Sequence, residues 1–351
     1  GYPAQTYKSH VQSVMDMASQ FAREAENYCS VGVGQLENIV AQAAEYHDLG
    51  KLDLLNQKEL SIVEYKRHLP INHVDAGTAH LLSKKDSAYS AILIYSHHKG
   101  LPNISSESIR DEAAFRDDQR ETREYVNAGL NSLLAAHNSV FPVRGRHYSE
   151  GCLVDAKVFM RMGLSCIADA DHSNTADACH PGHRKIDFPE LRPSERLMKL
   201  DAYISDLQEK TEINERSTLR NEMYRSCRDA QMDEPIVCCS SPVGTGKTTA
   251  VMAYMLRMAE KTEARHIFVV IPFTNIITQS VEVYRNSLTL PGEDPEKVVA
   301  ELHHKADFED YDIRHLSALW RAPIIVTTAV AFFETIASNR PATLRRLHEL
   351  P

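Results

Sequence analysis

The feature that most constrains the fold is a glycine-rich segment, SPVGTGKT, at residues 241–248. It follows a short apolar run at 236–239 and opens a helical pattern at 248–260. Glycines permit the tight turn, and the backbone N–H groups at the start of a helix attract anions. A strand, this loop and a helix in that order predict a phosphate-binding unit of an α/β fold.

The pattern after the loop continues as alternating strands and helices. Apolar runs at 266–271 and 324–327 predict two further strands, and a helix is expected from about residue 329. Such alternation is typical of a parallel sheet covered by helices.

The N-terminal part shows a different pattern, with apolar residues recurring every three to four positions. This spacing predicts helices over 10–25, 36–46, 74–82, 89–98 and 157–170. We expect an exposed helix or an insertion at 106–125, a loop at 172–193 and a polar helix at 194–230. The prediction is a mainly α protein with an all-helical domain at 1–205, a helical linker at 206–230 and a partial α/β domain at 231–351.

Composition limits the functional classes. The 351 residues carry a formal net charge of −9, which argues against a protein that coats nucleic acid through its overall charge. No apolar run reaches the length of a membrane span. The seven cysteines lack a C-x-x-C pair, which fits a reducing cytoplasm. We interpret the Cys179-His180-Pro-Gly-His183 group as a polar loop rather than a zinc site.

Histidines and aspartates recur in the helical part and suggest a metal centre. His47-Asp48 closes one apolar helix, and His73, the pair His97-His98 and Asp169 follow. Imidazoles and carboxylates suit first-row cations such as Mn, Fe, Co, Ni and Zn. Two such cations sharing a bridging carboxylate would support phosphodiester hydrolysis, and Asp48 is the natural bridge.

The ordered series His10, His47-Asp48, His73, His97-His98 and Asp169 resembles the HD-superfamily nuclease domain of CRISPR-associated type I nuclease–helicases. The resemblance implies that Asp48 is shared between two metals and that Lys51 contacts substrate phosphate, so these two residues are the catalytic candidates. Asp171 is the alternative to Asp169. The implied first site is His10, His47, Asp48 and Asp169, and the second is Asp48, His73, His97 and His98.

The glycine-rich loop is similar to the P-x-G-x-G-K-T form found in superfamily 2 helicases. The segments at 271–279 and 326–328 resemble helicase motifs that contact the DNA backbone, and Arg220 lies in a segment similar to the one preceding the loop. The resemblance implies the first, RecA-like helicase domain, with ATP and Mg as cofactors. The implied nucleotide-binding residues are Ser241, Gly244, Thr245, Gly246, Lys247 and Thr248.

One expected element is missing from this domain. No hydrophobic strand ending in D-E-x-[DH] follows the loop, and the acidic cluster at 307–312 lacks a preceding apolar run. That carboxylate normally positions Mg and the attacking water. We therefore expect an N-terminal part of a longer protein that neither hydrolyses ATP nor unwinds DNA by itself.

The resemblance implies a metal-dependent endonuclease that cleaves single-stranded DNA in CRISPR interference. We expect a monomer that an RNA-guided surveillance complex recruits, with two divalent metals: Mn, Fe, Co or Ni, or alternatively Mg or Zn. Two other hypotheses stay open. One is an HD-type phosphohydrolase of nucleotides or cyclic dinucleotides, and the other is a non-catalytic nucleic-acid-binding module.

Overall fold

The structure is a computed structural model that describes residues 5–28, 34–62, 68–141, 156–179, 189–302 and 320–351. Within these ranges the chain is mainly α-helical and holds one small parallel sheet, as predicted. It divides into two compact units. Unit 1 comprises Gly1–Arg184 and Thr335–Leu350, and unit 2 comprises Lys185–Glu334 with Pro351.

Unit 1 is built from helices. Those in its first part are α1 (Tyr7–Glu26), α2 (Gln35–Tyr46), α3 (Leu54–Leu60), α4 (His73–Leu82), α5 (Ala88–Lys99), α6 (Ile104–Ser108), α7 (Arg120–Val140) and α8 (Ala156–Cys179). Short 3₁₀ helices occur at Leu49–Leu52 and Asp111–Ala113.

The core of unit 1 follows from the three-to-four spacing of its apolar residues. Thr6 begins α1 by accepting a hydrogen bond from the Ser9 N–H. Along the helix Val11, Val14 and Ala18 are fully buried, and α1 packs on α2 and α8. The helices predicted at 10–25, 36–46, 74–82 and 89–98 are therefore confirmed.

Unit 2 combines helices with the sheet. Its helices are α9 (Pro193–Glu209), α10 (Glu215–Arg228), α11 (Lys247–Thr262), α12 (Thr274–Leu288) and α13 (Pro295–Val298). Its strands are β1 (Ile267–Ile271), β2 (Val299–Leu302) and β3 (Ile324–Thr328). After β3 comes α14 (Ala329–Ala337), whose last residues belong to unit 1, and then, within unit 1, α15 (Pro341–Leu344) and a 3₁₀ helix, Leu347–Glu349.

The three strands are parallel in the order β1-β3-β2. Ile324 at the start of β3 lies opposite Ile267 on one side and Val299 on the other. Every residue of β3 is buried, as expected for a central parallel strand covered by helices. The predicted strands β1 and β3 are confirmed, whereas β2 was not predicted because its sequence, VAEL, lacks a β-branched run.

The prediction of a strand at 236–239 is wrong, since the structure describes these residues and they form none. The segment forms no strand, and Ile236 and Val237 are 84% and 51% exposed. None of the three strands in the sheet pairs with it. An apolar run becomes a strand only where a neighbour accepts its backbone hydrogen bonds, so the run alone was insufficient.

Two helix boundaries also differ from the prediction. The helix predicted to end at residue 170 continues to Cys179 as α8, because Ser173 and Asn174 are buried and hydrogen-bonded rather than exposed in a loop. The single helix predicted at 194–230 is two helices. Asn214 begins the second with a capping box to Ser217.

The two units also differ from the predicted domains. Helix α9 packs on α11, and its Leu200 belongs to the apolar core of unit 2. Residues 335–350 instead pack on unit 1, where Leu344 and Leu347 join the core. In the described ranges, none of the helices has the length and apolar character needed to span a bilayer.

Candidate metal centre and phosphate loop

The candidate centre is assembled by five helices of unit 1. Helix α2 ends at Tyr46, so His47 and Asp48 lie at the turn into the 3₁₀ helix Leu49–Leu52. Gly50 allows α4 to approach this turn, since a Cβ there would lie 2.5 Å from the His73 carbonyl oxygen. This close approach explains why position 50, two residues after Asp48, is a glycine.

One group of candidate ligands consists of His10 on α1, His47 and Asp171 on α8. The Nε2 atoms of His10 and His47 are 3.3 Å apart, and the Asp171 Oδ1 atom lies 3.3 and 3.9 Å from them. His47 is fully buried and His10 nearly so. Three ligand atoms this close together can hold one cation.

A second group consists of His73 at the start of α4 and the pair His97-His98 at the end of α5. The Nε2 atoms of His73 and His98 lie 3.0 Å apart. His97 is buried, and its Nε2 atom has no hydrogen-bond partner among the described residues. The structure therefore brings the adjacent histidines into one cluster with His73.

Asp48 lies between the two groups. Its Oδ2 atom is 3.0 Å from the Nε2 atom of His10 and 3.3 Å from that of His47. Its Oδ1 atom is 3.6 Å from the His73 Nε2 atom and lacks a hydrogen-bond partner in the described ranges. A buried carboxylate with one oxygen toward each imidazole group has the arrangement of a bridging metal ligand.

Hydrogen bonds on the far side of the rings orient three of the histidines. The Nδ1 atoms of His47 and His97 lie 2.8 and 2.6 Å from the carbonyl oxygens of Ala44 and Ile94. Because a carbonyl only accepts, each Nδ1 carries a proton, which leaves Nε2 as the ring atom that can bind a metal. The Nδ1 atom of His10 similarly lies 2.7 Å from the Asn174 Oδ1 atom. The donor atoms thus suit a metal before any metal binds.

The protonation states of the second group support the same interpretation. Burial lowers the pKa of His73 and of His97 to about 4 and that of His98 to about 3, so these rings are neutral at neutral pH. Burial would also lower the pKa of His10, but hydrogen bonds to Asp171 and Asp48 outweigh it and raise the pKa to about 9.

Asp48 is held as a carboxylate. Burial favours its neutral form, but the neighbouring charges of His47 and Lys51 and its hydrogen bonds to histidine keep its pKa well below the ordinary value. The Lys51 ammonium donates to the Asp48 Oδ2 atom and stays partly exposed. Both predicted catalytic residues therefore lie at the centre.

Asp169 occupies a different position from the predicted one. Its carboxylate accepts from the Arg345 Nη2 atom at 2.9 Å and from the Ser173 hydroxyl at 3.2 Å. Asp169 belongs to neither ligand group, whereas Asp171, the alternative, does. Two residues along an α-helix are rotated by about 200°, so only one of the two aspartates can face the histidines. The sequence motif favoured Asp169.

Sequence reasoning also missed Asn174. It lies three residues after Asp171 on the same face of α8 and contacts His10. An Asp-x-x-Asn spacing at a ligand position is the pattern that would have indicated it. His180, His183 and the acidic cluster at 307–312 lie outside the described residues.

The phosphate loop has the predicted local geometry at its helix end. Gly244 and Gly246 adopt φ of +85° and +79°, values that glycine tolerates without strain, and α11 begins at Lys247. The Lys247 ammonium donates to the carbonyl oxygens of Ser241 and Pro242 at 2.7 and 2.8 Å.

Neighbouring residues complete the loop. Thr245 is buried and donates to the Pro242 carbonyl at 2.9 Å, and Thr248 lies in the first turn of α11. The Arg220 Nε atom donates to the Gly244 carbonyl at 2.9 Å. Arg220 is therefore part of the loop's surroundings, as its resemblance to the preceding helicase segment implied.

Comparisons with known proteins bear on the helicase-type part and on the fold of the chain. Residues 224–350 match the family model described as DEAD/DEAH box helicase. The chain is also similar to three crystal structures of T. fusca Cas3. The AMPPNP form gives a TM-score of 0.56 at 14% identity and covers 99% of this chain and 44% of that one.

The ADP form gives a TM-score of 0.53 at 16% identity, and the match covers 100% of this chain and 44% of that one. The ATP form gives a TM-score of 0.51 at 16% identity, and the match covers 99% of this chain and 45% of that one. No curated protein matches this sequence closely enough to count as a relative.

The chain therefore has an all-helical domain followed by part of a helicase-type α/β domain. Its fold is that of T. fusca Cas3 over 44–45% of that chain's length, which confirms at the level of the fold the predicted resemblance to a type I CRISPR nuclease–helicase.

Proposed function

We propose that this chain carries a two-metal nuclease centre that cleaves single-stranded DNA. The observation that carries the proposal is the placement of Asp48, whose two carboxylate oxygens face two separate groups of imidazoles. A single cation would need only one of these groups.

The revised ligand set follows from the distances. His10, His47, Asp171 and one oxygen of Asp48 would hold the first cation. The other oxygen of Asp48 would hold the second cation together with His73, His97 and His98. When bound, two such cations supply an activated water and neutralise charge on a phosphodiester.

The protein's own residues set which cation suits the site and where the substrate binds. The mixed set of five imidazoles and carboxylates suits Mn, Fe, Co or Ni, with Zn or Mg as the alternatives, because nitrogen donors bind first-row transition metals better than they bind Mg. The partly exposed Lys51 ammonium beside Asp48 would contact a substrate phosphate.

The fold supports DNA as substrate over a free nucleotide. The metal centre shares a chain with a DEAD/DEAH helicase match, and helicases deliver separated strands. We infer that the full-length protein acts in CRISPR interference in the cytoplasm, as a monomer that an RNA-guided surveillance complex brings to a displaced strand.

The experiment that separates this proposal from its alternatives compares substrates. With Mn or Ni added, we expect nicking of circular single-stranded DNA and no comparable turnover of dNTPs or cyclic dinucleotides. The measurement is product formation at equal substrate concentration. Faster hydrolysis of a small nucleotide would favour a phosphohydrolase, and DNA binding without cleavage would favour a non-catalytic module.

We also propose that the phosphate loop binds ATP with Mg, through the backbone N–H groups of 244–247, the Lys247 ammonium and the Thr248 hydroxyl. We expect weak binding, measured by titration of a fluorescent ATP analogue, and no DNA-stimulated ATPase activity from this chain. Robust ATP turnover would contradict the expectation.

The loop can be tested with a matched pair of lysine variants. Lys247→Ala should abolish binding of the analogue, because it removes the charge that reaches the terminal phosphates. Lys199→Ala, at an exposed position of α9 in the same unit, should bind like the wild type. Equal affinity of the two variants would exclude the loop as the nucleotide site.

A further inference from the structure

Residues 338–348, which we name the C-terminal clasp, contact α8 one turn from the metal centre. The Arg345 guanidinium donates to the Asp169 Oδ1 atom from Nη2 at 2.9 Å and from Nε at 3.3 Å. On the same helix the Ser165 hydroxyl lies 2.9 Å from the His348 Nδ1 atom and accepts from the His348 backbone N–H at 3.0 Å.

The clasp also contacts α5 just beyond its histidine pair. The Leu101 N–H donates to the Asn339 carbonyl at 2.8 Å, and the Asn339 side chain donates back to the Leu101 carbonyl at 3.3 Å. A Cβ at Gly100 would lie 2.4 Å from the Asn339 carbonyl oxygen. Gly100 is thus required where the clasp approaches the end of α5.

A third contact reaches α1. The His348 ring stacks on Phe21, with centroids 4.4 Å apart and planes 29° from parallel. The clasp therefore contacts the three helices that carry His10, the His97-His98 pair and Asp171.

The Arg345–Asp169 pair is the contact with the strongest energetic consequence. The Asp169 side chain is fully buried and that of Arg345 is 19% exposed. A buried carboxylate is costly unless a positive charge and hydrogen bonds compensate it, and removing one partner of such a pair is strongly destabilising. The rotation of α8 is therefore coupled to Arg345.

We propose that Arg345 is a positioning residue for the first metal site. It acts through Asp169 to fix the rotation of α8, and the opposite face of the same helix then presents Asp171 to His10 and His47. This inference rests on the proposed metal centre. It also gives Asp169 a role as an anchor rather than a ligand.

The test is the Arg345→Ala variant, titrated with Co(II) beside the wild type. We expect the first site to lose about tenfold or more in affinity, the range typical when a residue that orients a ligand is removed. The second site should keep its Co(II), whereas general unfolding would release both ions. Arg345→Lys should restore part of the affinity because it keeps the positive charge.

Two controls keep the test decisive. Arg120→Ala removes an exposed arginine of α7 that pairs with Glu124, and it should bind Co(II) like the wild type. If Arg345→Ala does not fold, the double variant Asp169→Asn with Arg345→Gln removes both charges together, and it should fold with the same selective loss.

Hydrogen exchange of the metal-free protein separates this inference from the proposed function. Amides of residues 168–174 should exchange faster in Arg345→Ala than in the wild type or Arg120→Ala. Unchanged exchange would overturn the inference whether or not metal binds. Equal first-site affinity in Arg345→Ala would also overturn it while leaving the proposed function intact. A wild type that binds no Co(II) would instead overturn the metal centre.

Discussion

The Asp48→Ala variant is expected to lose DNA cleavage and most of its bound metal. Asp48 is the only carboxylate of the described residues placed with one oxygen toward each imidazole group, so its removal weakens both sites together. Two-metal stabilisation contributes several kcal/mol to phosphodiester hydrolysis, which corresponds to a rate loss on the order of a thousandfold or more. Nicking of circular single-stranded DNA and elemental analysis of the purified protein measure the two effects.

The matched control for this variant is Asp16→Ala. Asp16 is an exposed carboxylate on α1, the helix that also carries His10, and it accepts only a surface hydrogen bond from Gln12. It should cleave DNA and retain metal like the wild type. If Asp48→Ala kept two metals and cleaved normally, Asp48 would not be a bridging ligand and the proposed function would fail.

The second large effect is expected from His97→Ala. His97 is buried, and a hydrogen bond to the Ile94 carbonyl orients its Nδ1 atom. It belongs to the second ligand group together with His73 and His98. Removing it should reduce the metal content from two ions to one and lower the cleavage rate on the order of a hundredfold, because the remaining cation cannot stabilise both the attacking and the leaving oxygen.

His80→Ala provides the control for an imidazole lost from the same domain. His80 is a partly buried residue of α4 whose ring lies against Tyr46, away from both ligand groups. This variant should keep two metals and near wild-type cleavage. Retention of both ions by His97→Ala would instead assign the second site to other residues.

Much of unit 1 could be predicted from the sequence because its helices are regular. The spacing of Val11, Val14 and Ala18 defines the buried face of α1. The histidines of the centre were grouped because their order along the chain resembles that of HD-superfamily nuclease domains.

The remaining details depended on packing that no local pattern contains. The sequence favoured Asp169 over Asp171, whereas in the structure Asp169 contacts Arg345, 176 residues further along the chain, and Asp171 faces the histidines. The strand β2 is short and ordinary in sequence, and its pairing with β3 makes it a strand. The run at 236–239 shows the converse, since apolar character without a pairing strand left it exposed.

The position of the clasp late in the sequence determines when its contacts can form during synthesis of the chain. A ribosome synthesises the first part of unit 1 well before residues 335–350, because residues 185–334 come between them. At about 5–20 residues per second, this interval lasts roughly 8–30 s. During that time Arg345 is not yet present to contact the Asp169 carboxylate. A chain that terminates early therefore lacks the Arg345 contact. Under the proposed role of Arg345, the metal centre would be complete only after the helicase-type part has been synthesised.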